Sequence, residues 1–375
     1  MIARKIIGIE KIGIRPTKDI EVKSAGHLFY GNNIATSNSH AVSYAMNAYL
    51  SAYAKAHFPK IFFASYLRFA KDKIDPKAEI KALIQNANQM DIVVNVPDLR
   101  NLNEFFIMKN KKIYFGLTDI KGFGNSVFNK LLKLVDEKKI DFDQISWPKL
   151  LFEAINNINI TAAKSLIKSG ALDFIKKTRT SMLFEQSLVN ELTKKECEFI
   201  ITNIDKKKNL NECLSDLLMN HKLTSKRKTL ISGLISSLKN PPYSMQDSAE
   251  WISDTEDETL GCNITCSKVD MYDISMTNCN CKDFHNTLMS DNIIVCGEIS
   301  TLSVTKTKTG KNPGSEMAFV SLSDSFGCID SVIFFPEAYK EHRNILFDNN
   351  VIIIKGKKSN KGDAFIVEKA FIPKT

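Results

Sequence analysis

Asn38 and Ser39 stand side by side in "IATSNSHAVSYA", and together they hold the parts needed to break and remake a peptide bond. An asparagine side-chain amide can attack its own backbone carbonyl, closing a succinimide and cleaving the bond that follows. The attack is intramolecular, so positioning alone supplies a large effective molarity. A serine at the next position offers a hydroxyl that can receive an acyl group. The reaction also needs a polarised carbonyl and a proton source, which an imidazole can provide, and His27 is the histidine within residues 1–38. An Asn-Ser pair is common by itself. A short β-extension that happens to end in one, with His27 packing a turn, is the plain alternative.

The elements around this pair change character at the junction. Residues 1–38 read as short strands, with "KIIGIEKIGI" and "KDIEVKS" alternating and turn residues between them. From Ser39 to about residue 70 the apolar period becomes helical, and Pro59 punctuates a second helix. A further helix over "DPKAEIKALIQNANQMDI" runs into the extended "VVNVPDLR". The alternating "KKIYFGLTDIKGFGN" ends in a glycine-bearing turn that opens the helix "SVFNKLLKLVDEKK". Two helical stretches follow, at 146–175 and 180–239, then the acidic connector "NPPYSMQDSAEWISDTEDETLG". From Asn292 onward the pattern is all-β: five strands, with a helical "PEAYKEHRNILF" between the third and fourth. That order is the pattern of an OB-type barrel, a fold that often holds single strands. The fold class expected is multidomain α+β. Its parts are a small all-β segment at 1–38, a mainly α region divided into 39–110 and 111–240, the acidic connector at 241–290, and a five-stranded barrel at 291–375.

The net charge of +9 is unevenly spread. Residues 39–240 carry 32 basic and 20 acidic side chains, whereas residues 241–290 carry 2 and 9. A broad basic block before an acidic connector suggests a polyanion partner for the middle of the chain, although many cytosolic proteins are mildly basic. The longest apolar runs are strand-sized, and the N-terminus lacks a signal-peptide pattern, so the expectation is a cytoplasmic protein without a membrane partner. Cys262, Cys266, Cys279 and Cys281 invite a zinc reading, but the C-x-C half fits structural zinc spacing poorly. The expectation is reduced thiols and no metal site. "KKK" at 206–208 and "KRK" at 226–228 read as solvated faces.

"DIEVKSAGHLFYGNNIATSN" followed by Ser39 resembles the C-terminal end of an intein. The resemblance implies that Asn38 is the cyclising residue, that Ser39 is the first residue of the cargo, and that His27 and Asp19 assist. The commonest intein pattern has His before the Asn, where this chain has Ser37. That departure puts more weight on His27. A segment of this length starting at Met1 is similar to the C-half of a split intein, whose N-half and first nucleophile lie on another chain.

The cargo has its own resemblance. "SHAVSYAMNAYLSAYAKAHFPKIFFASYL" is similar to the fingers of the bacterial replicative (C-family) DNA polymerases, the alpha subunits of DNA polymerase III. "VNVPDLRNLNEF", "IYFGLTDIKGFGNSVFNKLL", "LIKSGALDF" and "KTKTGKNPGSEMAFVSLSDSFGCIDSVIFFPEAYKEHRNIL" continue it in order. The Cys262 and Cys266 stretch falls where this family has an ordinary non-metal segment. The resemblance implies a helix-hairpin-helix region in which Lys121, Gly122 and Gly124 grip duplex backbone without reading sequence, since glycines let backbone N–H groups approach a phosphate. It also implies that the helix bearing His40, Tyr44 and Lys55 faces the incoming deoxynucleotide, with a packed or solvated His40 as the alternative. In the barrel, Lys306, Lys308 and Lys311, with Lys355, Lys357 and Lys358, could line a groove for single-stranded DNA. Phe319, Phe334 and Phe335 read as core by their alternation.

No palm segment with metal-binding aspartates is recognised in this sequence, so the family's divalent metal, magnesium, would be bound by residues outside this chain; splicing needs no cofactor. No Gln-x-x-Leu-Phe-like segment stands between residues 180 and 290, which leaves a sliding-clamp contact without a sequence to carry it. The implied function is therefore a precursor. Trans-splicing would join Ser39 onward to a palm-bearing chain, giving a DNA-directed DNA polymerase that works on primer-template DNA in the cytoplasm, that of the host cell if a phage encodes it. The alternative is a stand-alone DNA-binding accessory protein with an inactive intein remnant.

Overall fold

The computed structural model describes residues 28–31, 34–37, 40–204, 209–288, 292–307, 313–360 and 362–374. The chain forms two compact units, Met1–Pro59 and Lys60–Thr375. In the first, strands β1 (Leu28–Gly31) and β2 (Ile34–Ser37) pair antiparallel with Leu28 opposite Ser37, and helix α1 spans His40–His57.

The second unit begins one residue into α2 (Pro59–Phe69), which buries Phe63 and Leu67, and continues with α3 (Pro76–Gln89). Asp75 caps α3 by accepting the Ala78 N–H at 3.2 Å, and Pro76 fills its first turn. A small sheet follows, with β3 (Val94–Asn95) parallel to β5 (Lys112–Tyr114), which pairs antiparallel with β4 (Ile107–Lys109). Next come α4 (Asn125–Lys138), α5 (Trp147–Glu153) and α6 (Ile160–Lys168). The long stretch after residue 180 is four helices: α7 (Arg179–Val189), α8 (Lys194–Thr202), α9 (Leu210–Asn220) and α10 (Ser225–Lys239). Side-chain caps at Thr178, Thr193, Asn209 and Thr224 set these breaks. At Thr193 the cap is reciprocal, with Glu196 accepting the Thr193 N–H at 2.7 Å. The acidic connector contains α11 (Ala249–Leu260), ended by Gly261 in the left-handed region.

One continuous apolar core runs from Phe63 through Cys262. A second fills a closed barrel built from β6 (Ile293–Lys306), β7 (Glu316–Ser323), β8 (Cys328–Phe334), β9 (Val351–Lys358) and β10 (Phe365–Phe371), in the order β10-β8-β7-β6-β9. Helix α12 (Pro336–His342) precedes the fourth barrel strand, as the sequence pattern predicts. The parallel β8–β10 pairing closes the barrel and leaves no open sheet edge. No helix among the described residues is long and apolar enough to cross a membrane.

Candidate nucleic-acid interface

The turn at residues 120–124 is held from three sides. Ile120 and Phe123 are buried beneath it, and the Phe123 N–H closes the turn on the Ile120 carbonyl at 3.0 Å. The Lys121 N–H donates to the Thr259 carbonyl of α11 at 2.9 Å, which fixes the strand between those anchors. Gly122 has φ +87°, and a Cβ there would stand 3.0 Å from Ser165 Oγ and 3.4 Å from Thr161 Cγ2 of α6. Internal geometry explains that glycine.

Gly124 is different. Its backbone is extended (φ −86°, ψ 175°), a conformation open to any residue, and a Cβ there would meet no atom of the described residues within 4 Å. It is the N-cap of α4 and supplies no side-chain cap, and the first turn of α4 contains no carboxylate. The positive end of a 14-residue helix therefore faces open space, with exposed Lys121 beside it. Phe128 and Leu131 bury the opposite face of α4, so the helix start is fixed in place. Ser126, Lys130 and Lys133 follow at i, i+4 and i+7 along one side, all three exposed. This arrangement can bind a phosphate by backbone donors and screen it with lysines.

The element before the turn is a single 3-10 turn, Leu117–Asp119, where a helix-hairpin-helix reading places a longer helix. Asp119 in that turn is largely buried, and burial raises its carboxyl from the ordinary 3.8 to about 6 against the opposing pull of Lys71.

A second helical hairpin, α5–α6, has no glycine between residues 154 and 159, and its sequence reads as one helical stretch. Asn159 accepts the Ala162 N–H at 2.7 Å, while Asn157 Nδ2 donates to the Phe152 carbonyl at 2.8 Å. Its helix start is satisfied from within, unlike that of α4. The signal that could have found it is Asn159, a capping residue directly before an apolar helical period. Beyond α6, Arg179 is 2% exposed. Its guanidinium donates to Asp173 at 3.0 and 2.7 Å, to Glu256 of α11 at 2.9 Å and to the Lys168 carbonyl at 3.1 Å. This network ties α6, α7 and α11 together behind the Lys121–Gly124 turn.

The structure brings Lys121, Gly122 and Gly124 into one turn, as the sequence reading requires. Asp19, His27, Asn38, Ser39, Lys308 and Lys311 lie outside the described residues. His40 opens α1. On that helix Tyr44 is 70% exposed and Lys55 half-buried, and the Tyr53 and His57 rings lie 4.1 Å apart. Lys306 ends β6 opposite Glu316 and is exposed. Lys357 and Lys358 pair with Glu368 at 3.6 Å and Asp363 at 2.8 Å. Of the three phenylalanines read as core, Phe334 is buried, but Phe319 is 39% exposed and Phe335 46%. Strand alternation misassigned both: Phe319 points to the outer face between Ser303 of β6 and Ile333 of β8, and Phe335 lies just past the end of β8. The cysteines are free thiols, and burial pushes Cys266 and Cys279 up to about 11 and Cys262 up to about 12. Among the described residues no three His, Cys, Asp or Glu side chains converge to hold a metal.

Residues 91–182, which include the turn and α4 to α6, match the helix-hairpin-helix motif family. The longer likeness is to DNA polymerase III alpha subunits. DNA polymerase III subunit alpha of Aquifex aeolicus is 28% identical over 89% of this chain and 25% of its own length. The Borreliella burgdorferi subunit is 27% identical over 91% of this chain and 27% of its own, and a Staphylococcus aureus subunit is 24% identical over 85% and 26%. The chain thus spans about a quarter of the length of the curated relatives it matches.

Proposed function

We propose that this chain is the precursor of the C-terminal part of a replicative DNA polymerase, and that it supplies DNA grip rather than chemistry to the finished enzyme. The observation that carries the reading is Gly124: nothing among the described residues requires a glycine there, and its open side faces the uncapped start of α4. A backbone that must approach a phosphate closely explains it. The exposed Phe319 and Phe335 suit stacking of single-stranded bases on the barrel. Tyr44 and Lys55, with His40 at the start of α1, serve the side of the incoming deoxynucleotide. The palm aspartates and their magnesium belong to the other chain.

Residues 1–38 act as the C-half of a split intein. Asn38 cyclises with help from His27 and Asp19, and Ser39 accepts the acyl group of a palm-bearing partner. Supporting this is the residue pattern around His27.

The test is the intact mass of the chain after mixing with a candidate partner ending in an intein N-half, beside Asn38→Ala. A ligated product lacking residues 1–38, absent in the variant, is expected, and primer extension should appear only with that product. An unchanged mass with a well-folded N-half present would leave a DNA-binding accessory protein with an inactive remnant. Nucleotide incorporation by the chain alone would contradict the reading.

A further inference from the structure

Helix α11 does more than brace the hairpin. Its exposed side carries Glu250, Asp254, Asp257 and Glu258, and it lies against the DNA-gripping turn, since Thr259 accepts the Lys121 N–H. Glu258 Oε2 holds Lys168 Nζ at 2.6 Å, with the two side chains 55% and 27% exposed. Lys168 ends the α6 stripe whose earlier members, Thr161 and Ser165, stand against Gly122. It lies one helical turn past Ser165, about 4.5 Å along the axis. Its backbone is fixed because its carbonyl accepts from Arg179 at 3.1 Å. Lys168 thus continues the α6 face that stands against Gly122 and is already engaged by a carboxylate.

We infer that Glu258 is a positioning residue that competes with DNA phosphate for Lys168 and so holds the hairpin's affinity below what its lysines could deliver. The inference rests on the proposed duplex grip. With Glu258 ionised, Lys168 spends its charge on the protein, and the duplex is held by the α4 start, Lys121 and the α4 lysines. An exposed pair of this kind is worth only about 0.2–1 kcal/mol, so a phosphate can displace the carboxylate. Lys168 is therefore a partner that DNA recruits only by breaking a bond.

The experiment measures binding of the full chain to a 25-base-pair duplex of arbitrary sequence across a salt series. The variants are Glu258→Gln, Lys168→Gln, the double variant, and Gly124→Asp. Glu258→Gln should bind about two- to fivefold tighter than the parent at low salt, the range set by an exposed ion pair. Its log–log salt slope should steepen by about 0.9, the value for one more neutralised phosphate. Lys168→Gln should bind within about twofold of the parent, and the double variant should return to the parent's affinity and slope.

If Glu258→Gln leaves affinity and slope unchanged while Gly124→Asp weakens binding, the duplex grip stands and the competition is refuted. Tightening that persists in the double variant also refutes it, because loss of negative charge would then act without Lys168. If Gly124→Asp leaves binding unchanged, the hairpin reading itself fails and the inference falls with it.

Discussion

Replacing Arg179 with methionine should damage the scaffold behind the hairpin more than any surface change. The guanidinium is almost wholly buried and serves Asp173, Glu256, the Lys168 carbonyl and, at 3.3 Å, Thr265 Oγ1. Glu256 is fully buried. Without Arg179 it keeps, among the described residues, only neutral partners: the Ile264 and Thr265 N–H groups at 2.8 Å and the Thr265 hydroxyl. Asp173, 42% exposed, can turn to water. The cost is therefore chiefly an uncompensated buried carboxylate, about 3–5 kcal/mol for removing one partner of such a pair. Domain stabilities run to about 5–15 kcal/mol, so the loss is a large fraction of the total. Urea unfolding followed by tryptophan fluorescence is the assay, because both tryptophans, Trp147 and Trp251, lie in the helical part. With a urea slope of about 3 kcal/mol per molar, the midpoint should fall by about 1 M or more. Arg179→Met with Glu256→Gln should recover part of the loss, since no charge is then stranded. A single-variant midpoint within about 0.3 M of the parent would refute the reasoning, because that shift is below 1 kcal/mol at such a slope.

Other outcomes follow from the same geometry. Asp119 has a folded pKa raised to about 6, so ionising it costs the folded state, and the chain should lose stability as pH rises from about 4 to 6. Asp119→Asn should show no such loss, and above pH 6 it should be the more stable by up to about 3 kcal/mol, at 1.36 kcal/mol per unit; midpoints of the pair at pH 4.5 and 7.5 check this. Gly170→Ala should destabilise by at least about 1–2 kcal/mol from its left-handed backbone alone, and more because the new Cβ would stand 2.3 Å from Arg179 Nη2. Phe319→Ala should weaken binding of single-stranded oligonucleotides by about 1–3 kcal/mol if a base stacks there, with thermal stability little changed; filter binding and a melt separate the two effects.

How much was legible in the sequence depended on where each element hides its signal. The barrel was readable because its strands alternate apolar and polar residues and its turns carry Gly, Asn and Asp. The alternation failed where β6 outruns the core. Its last residues, Ser303 to Lys306, are exposed, and the Phe319 face beside them opens to solvent. Helix α11 was invisible as a helix because its buried side is Ser253, Thr255, Glu256 and Thr259 rather than an apolar stripe. That same polar side is what bonds to Arg179, so the feature that concealed the helix is the one that anchors it. The glycine turn at 122–124 was found from its spacing, but spacing could not tell the two glycines apart. One answers to α6 and the other to nothing among the described residues. The long helical stretch after residue 180 read as one run because its breaks are made by single capping residues, Thr193, Asn209 and Thr224, not by Pro or Gly.

The central claim, that the start of α4 grips duplex backbone, is tested most directly at Gly124. Aspartate there fits the extended backbone and has room for its Cβ, and it is a favoured helix cap. Gly124→Asp should therefore fold at least as stably as the parent while setting a carboxylate where a phosphate would sit. Binding to duplexes of unrelated sequence should fall at least about tenfold for all of them alike, as loss of a backbone contact requires. A variant equally stable and equally tight on DNA would contradict the account.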